Sequence, residues 1–230
     1  MRRAIATASI LALATLPLAG CEKDEPSTSS TVEIPGGGGG GGKAKECDPV
    51  PAAKPTRLNL KPPSEKVSPG ERITATVKTN CGDFDIDLDT KRSPKTVASF
   101  VHLVKEGAYD GVPVQRVVPG YVIQAGDATG DDRNDPGYSV IEPPPPNTEY
   151  TEGTVAMAKM SVQPKGYSGM QFFVVTAADA GLQPDYAVLG RVAKGEEAVD
   201  RIDAQADPDL GKEGGAPANP VVIDRITLTR

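Results

Sequence analysis

From Ile73 to Asp89 apolar and polar positions trade places. Ile73, Ala75 and Val77 alternate with polar residues, and Phe84, Ile86 and Leu88 alternate with Asp83, Asp85, Asp87 and Asp89. A period of two marks a strand with one buried face, so the stretch predicts two strands joined by a turn at Asn80-Cys81-Gly82. The period then changes. Val97, Phe100, Val101 and Val104 fall at i, i+3, i+4 and i+7, one apolar stripe of a helix. Ser93 suits the N-cap, Pro94 the first helical position, and Gly107 is placed to end the helix. His102 lies off the stripe and reads as an exposed helix residue rather than a catalyst. Further strands are expected at 112–118, 122–124, 154–159, 171–176, 187–192 and 221–228, with a short helix over 196–202. Many short strands with few helices argue for a closed β-barrel or a sandwich.

The N-terminal third follows neither period. Arg2 and Arg3 precede an apolar run from Ala4 to Leu16, too short for a bilayer span of about 20 residues. That is the pattern of a secretory signal peptide. Its end, Leu18-Ala19-Gly20-Cys21, resembles a bacterial lipobox, which implies cleavage before Cys21 and lipidation of its thiol. The alternative is an ordinary secreted protein cut elsewhere, with Cys21 a spare thiol. Residues 21–70 read as a tether: a Ser/Thr run from Ser27 to Thr31, glycines from Gly36 to Gly42, then scattered prolines. Such composition buries too little apolar surface to offset ordering entropy. A flexible chain of about 49 residues reaches roughly 35–42 Å. The Pro-rich part from Pro49 to Pro69 is either stiffer or packs on the folded domain. The expected organisation is therefore a signal peptide at 1–20, a lipidated tether at 21–70 and one folded domain at 71–230.

Charge and composition narrow the chemistry. The net formal charge is −6 and no basic cluster exceeds two residues, so nucleic acid is not an expected partner. Cys47 and Cys81 are free to pair outside the cytoplasm, although spacing alone does not bring them together. With no Cys-x-x-Cys and a single His, no metal or other cofactor is expected. A Ser–His–Asp arrangement would have to use His102, and the glycine run lacks the Gly-Lys-Ser/Thr ending of a phosphate loop.

Two stretches remain. In "VQRVVPGYVIQAGD" (114–127) Arg116 and Gln124 sit among valines, and in "MQFFVVT" (170–176) Gln171 precedes two phenylalanines. Alternation puts Gln171 and Phe173 on one face and Phe172 on the other, and lets Val122 and Gln124 share a face. Apolar walls from Tyr121, Val122 and Phe173, amide groups and one fixed cation suit a mostly apolar ligand with one polar handle.

"FVHLVKEGAYDGVPVQRVVPGYVIQAGDATG", "GTVAMAK", "QFFVVT" and "YAVLGRV", in that order, resemble the cyclophilin family of peptidyl-prolyl isomerases over about 72–230. The resemblance implies a mainly β fold, a closed eight-stranded antiparallel barrel with two capping helices. It implies a catalytic group of Arg116, Gln124 and Phe173. It puts the proline pocket on Tyr121, Val122, Phe173 and Leu182, backbone contacts on Gln124, Ala158, Lys159 and Gln171, and Tyr186 at the rim. Several positions depart from the family's commonest residues. Gln115 stands where His is usual, Tyr121 and Val122 where Phe and Met are usual, Lys159 where Asn is usual, and Gly181 where a Trp or Phe flanks the pocket.

The expectation is a monomeric prolyl isomerase acting on proline-containing segments of unfolded exported proteins. It would sit outside the cytoplasm, lipid-anchored to a bacterial cell membrane. The alternative is a weakly active or inactive cyclophilin-like module that binds proline peptides in the manner of a chaperone.

Overall fold

The computed structural model describes residues 47–50, 58–128 and 136–230. The expected signal peptide, Cys21 and the glycine run lie outside the described residues. Ten strands and two helices follow in the order β1 (Thr74–Thr79), β2 (Gly82–Leu88), α1 (Pro94–Lys105), β3 (Val112–Val118), β4 (Val122–Ala125), β5 (Val140–Ile141), β6 (Thr154–Met157), β7 (Tyr167–Ser168), β8 (Phe172–Val175), β9 (Val188–Lys194), α2 (Glu196–Asp203) and β10 (Val222–Thr229). Eight of the strands close a barrel in the order β1-β10-β3-β4-β8-β6-β9-β2. All its pairings are antiparallel. β5 and β7 form a separate two-stranded ribbon.

The alternation in β1 and β2 works as read. Ala75, Val77, Phe84 and Ile86 point into the barrel, while Thr74 and Thr76 on the other face donate hydroxyl hydrogen bonds to Asp87 and Asp85 at 2.8 and 2.6 Å. Both helices turn their buried faces into the same core, α1 through Val97, Phe100, Val101 and Leu103 and α2 through Ala198, Val199 and Ile202. Gly107, at φ +67°, ends the first helix in the left-handed region that glycine enters without a Cβ clash. The cap at its other end differs from the expectation. Ser93 is the N-cap residue but its side chain accepts no capping bond. The Glu142 carboxylate, brought in from the β5 ribbon, accepts from the backbone N–H of Thr96 at 2.7 Å and of Lys95 at 3.2 Å. An anion there also meets the positive end of the helix dipole.

The described part of the expected tether lies on the barrel. Cys47 and Cys81 form a disulfide, tying the chain to the β1–β2 turn. Beside it the Asp48 N–H donates to the Asn80 carbonyl at 2.8 Å, and the Asn80 amide donates to the Asp48 carbonyl at 2.7 Å. Leu58 and Leu60 pack against the core and Val67 is buried in it. Glu65 pairs with Lys105 and with Arg230, and those two cations hold its carboxyl below the usual carboxylate range. The Lys61 carbonyl stands 3.0 Å from His102 Nε2, so His102 is partly covered rather than fully exposed. Of the two outcomes that composition left open, a stiffer chain or one packed on the domain, the covalent staple and the three apolar anchors Leu58, Leu60 and Val67 give the second.

Apolar residues divide into two sets. The larger fills the barrel and takes Phe172, which meets Phe100 and Tyr109 edge-on at 6.0 and 5.8 Å. The smaller lies on the outer face of neighbouring strands and comprises Val118, Val122, Tyr150, Ala156, Ala158, Phe173, Val175 and Val188. A barrel exterior normally faces water, so this second apolar set is the feature that positions a site.

Candidate active site

The position of Arg116 follows from a break in alternation. Val112, Val114 and Val117 belong to the barrel interior, so two residues rather than one separate the last pair. The register records the extra residue: Val114 faces Ala125 and Arg116 faces Gln124, with Gln115 unpaired between them. This is a β-bulge, which kinks a strand and re-aims its side chains. It keeps the valines in the core while two adjacent polar residues stand outside it.

One cross-strand row then assembles the site. Arg116 faces Gln124 across β3–β4, Gln124 faces Phe173 across β4–β8, and Phe173 faces Ala156 across β8–β6. Directly opposed residues on a sheet have Cβ atoms about 5 Å apart, so the row is a contiguous surface. Above it opens a cavity of about 430 Å³ lined by Arg116, Tyr121, Val122, Gln124, Ala158, Lys159, Met160, Gln171, Phe173, Leu182 and Tyr186. Gln124 Nε2 donates to Gln171 Oε1 at 2.8 Å, and Gln115 Nε2 reaches the same oxygen at 3.2 Å. The two amides fix Gln171, which is itself 4% exposed and so has little freedom to turn.

The apolar wall is a stack of rings. Phe173 meets Tyr186 edge-on at 5.4 Å, and Tyr150 meets Tyr186 edge-on at 6.0 Å. The Tyr150 hydroxyl donates to the Tyr186 carbonyl at 2.6 Å and accepts from its N–H at 3.0 Å, locking that residue's backbone. Burial pushes the Tyr150 phenol up to about 12. Burial also raises Tyr186, while the nearby Arg116 charge acts in the opposite sense. Arg116 Nη2 donates to the Glu213 carbonyl at 3.1 Å, and among the described residues no carboxylate pairs with it. The carbonyl comes from the irregular 3₁₀ segment Pro208–Glu213, and just beyond it Gly215 makes an isolated bridge with Val117. One donor is thereby anchored, and the remaining N–H groups of the guanidinium are left for a ligand.

A family model described as cyclophilin type peptidyl-prolyl cis-trans isomerase/CLD matches residues 74–228. The chain belongs to this family. Among cyclophilin relatives, the probable peptidyl-prolyl cis-trans isomerase A of Mycobacterium bovis is 33% identical over 180 residues, covering 70% of this chain and 95% of that one. Peptidyl-prolyl cis-trans isomerase-like 2 of Cryptococcus neoformans is 29% identical over 171 residues, and the match spans 73% of this chain but only 29% of that longer protein. A crystal structure of a Cryptosporidium parvum cyclophilin type isomerase superposes with a TM-score of 0.61 at 23% identity, over 70% of this chain and 99% of that one. The barrel is thus the cyclophilin barrel. Residues 47–73, including the disulfide-stapled stretch, precede the matched region.

Every pocket residue named from the sequence lines the one cavity: Arg116, Tyr121, Val122, Gln124, Ala158, Lys159, Gln171, Phe173, Leu182 and Tyr186. Sequence reasoning missed Met160, a large apolar side chain 45% exposed just past the end of β6. It also missed Gln115 as a partner of Gln171. A methionine directly after the strand expected at 154–159 was the available signal for the first. The second required the bulge. Gly181, at φ +61°, has nothing within 4 Å of where a Cβ would stand, so that flank of the pocket is open. Among the described residues no group of three or more His, Cys, Asp or Glu side chains could hold a metal ion, and no helix is long and apolar enough to cross a membrane.

Proposed function

We propose that this chain catalyses cis–trans isomerisation of X–Pro bonds in exported proteins, from a lipid anchor at Cys21 on the outer side of a bacterial cell membrane. The single observation that carries the catalytic part is the row Arg116–Gln124–Phe173 facing one cavity. An X–Pro amide interconverts slowly because partial double-bond character sets a barrier of about 18–20 kcal/mol. No bond is broken, so no nucleophile, general acid or metal is required. In the twisted transition state the prolyl nitrogen becomes pyramidal and regains its lone pair. A donor aimed at that nitrogen stabilises the twisted form over the planar one. Arg116 is always charged and brings several fixed N–H donors. Phe173, Tyr121, Val122 and Leu182 hold the pyrrolidine ring, while Gln124 and Gln171 hold the peptide backbone on one side so that the other side rotates. A hundred-thousandfold acceleration asks for about 7 kcal/mol of such differential stabilisation.

The test is the rate of cis-to-trans conversion of a proline tetrapeptide with and without the protein. A rate no faster than buffer, with the peptide nonetheless bound, would favour the second reading, a proline-peptide binding module of chaperone type. The open flank at Gly181 and the small Val122 side chain support that reading, since both weaken the grip on the ring. The membrane part rests on the signal-like leader and the Leu-Ala-Gly-Cys ending. Labelled fatty acid should enter the wild-type protein and not a Cys21→Ser variant.

A further inference from the structure

Arg116 and Lys159 are the charged residues that line the cavity, and no carboxylate joins them among the described residues. The chain as a whole carries −6, so the local sign is inverted. The isomerisation mechanism employs the Arg116 charge and makes no use of the Lys159 charge. Lys159 Nζ stands 5.6 Å from the centre of the Tyr186 ring, and Tyr186 packs against Phe173. The ammonium therefore sits one ring beyond the wall that would hold the proline. Its hydrogen bonds go to backbone carbonyls, Gln163 at 3.2 Å and Met160 at 3.5 Å, which leave its charge uncompensated. Two acids near this rim are engaged elsewhere. Asp185, beside Tyr186, pairs with Lys165 at 2.8 Å, and Asp179 accepts the Gly181 N–H at 2.8 Å.

We infer that the site selects proline segments carrying an Asp or Glu within two residues of the proline, and that Lys159 is the side chain that reads the carboxylate. This rests on the cavity being the peptide site proposed above. Consecutive Cα atoms are about 3.8 Å apart, so an acid one or two residues from a seated ring comes within reach of a Lys stem. Opposite charges at a half-exposed rim contribute modestly, and the matching of sign shows chiefly as selectivity.

The experiment compares kcat/KM for peptides with Glu, Gln or Lys directly before the proline, and for a second set with the variable residue one position earlier, in low salt and in 1 M salt. Glu should exceed Gln by about two- to fivefold in at least one set, with Lys lowest. The preference should fade in 1 M salt, where the screening length is about 3 Å. Lys159→Gln should bring the Glu/Gln ratio close to one, and Lys159→Arg should keep it. Turnover of all peptides with a ratio near one in both sets overturns the selectivity and leaves the isomerase reading intact. A preference that survives Lys159→Gln overturns the role of Lys159. Failure to turn over any peptide overturns the isomerase reading and this inference with it.

Discussion

Replacing Arg116 by Ala separates catalysis from stability more cleanly than any other change in the pocket. The side chain is half-exposed, its one hydrogen bond among the described residues goes to the backbone carbonyl of exposed Glu213, and no described carboxylate is left unpaired by its loss. Water can take over at the Glu213 carbonyl. Surface substitutions of this kind stay within about 0.5 kcal/mol of wild type. The kinetic cost is of another order. On the proposed mechanism the guanidinium is a preorganised donor to charge that develops only in the twisted amide, and loss of one such donor costs about 2.7–4 kcal/mol, a factor of roughly 10²–10³ in rate. The assay is a stopped-flow or low-temperature measurement of cis-to-trans conversion, coupled to a protease that cleaves only the trans peptide. Urea unfolding of the same preparation serves as the companion measurement. Arg116→Lys should recover little, because an ammonium lacks the fixed fork. A variant within threefold of wild-type kcat/KM would refute the donor role. So would a rate loss matched by a collapse in stability, since the defect would then be structural.

Other outcomes follow from features away from the arginine. Replacing Cys47 and Cys81 together by Ser opens a loop with a sequence separation of 34; chain entropy puts the loss at about 2–4 kcal/mol in urea unfolding, and no change would mean that the stapled stretch lies outside the cooperative unit. Tyr150→Phe removes a hydroxyl that serves both backbone groups of Tyr186, so stability should fall by about 1–3 kcal/mol and KM should rise. The same phenol gives a pH signature. Its folded value lies raised, at about 12 against 10.0, so its contribution is complete below pH 10 and is lost as pH climbs through 12. Unfolding free energies measured from pH 9 to 12 should fall less steeply in Tyr150→Phe than in wild type. Glu142→Ala should cost about 1 kcal/mol by uncapping α1, seen as lost helicity and a lower urea midpoint.

The barrel strands were legible by period where one face keeps to the core and the other does not, as in β1 and β2; the four-residue β8 is buried throughout and shows no such period. Helix α1 was legible from its stripe, yet Leu103, off that stripe, is also fully buried, because strands and loops cover more than one side of the helix. The ribbon of β5 and β7 has two residues per strand, too few for any period to register. Glu142 as a cap was invisible for a different reason: it lies 46 residues from Thr96, and local patterning carries no information over that separation. Alternation assigned faces to Val122, Gln124, Gln171 and Phe173, and the resemblance to the family supplied Ala158, Lys159, Leu182 and Tyr186. The pocket's internal hydrogen bonding was not legible, because Gln115 and Arg116 together interrupt the alternation without showing which partner each meets. The stretch from Leu58 to Val67 was hardest, since three apolar residues scattered among polar ones and two prolines look the same whether docked or free.

The grip on Arg116 comes from main chain, and this decides where the protein is vulnerable. Any amino acid at 213 presents the same oxygen, so ordinary exchanges there should be silent. The weak point is the next residue: Gly214 has φ +63°, and a Cβ on it would stand 2.3 Å from the Val117 carbonyl. A change of one methyl group at that spot would push the chain around it, the Glu213 carbonyl included, off its perch and leave the guanidinium unmoored. Tolerance maps of the polypeptide should therefore show a sharp intolerant point well outside the cavity, flanked by permissive neighbours.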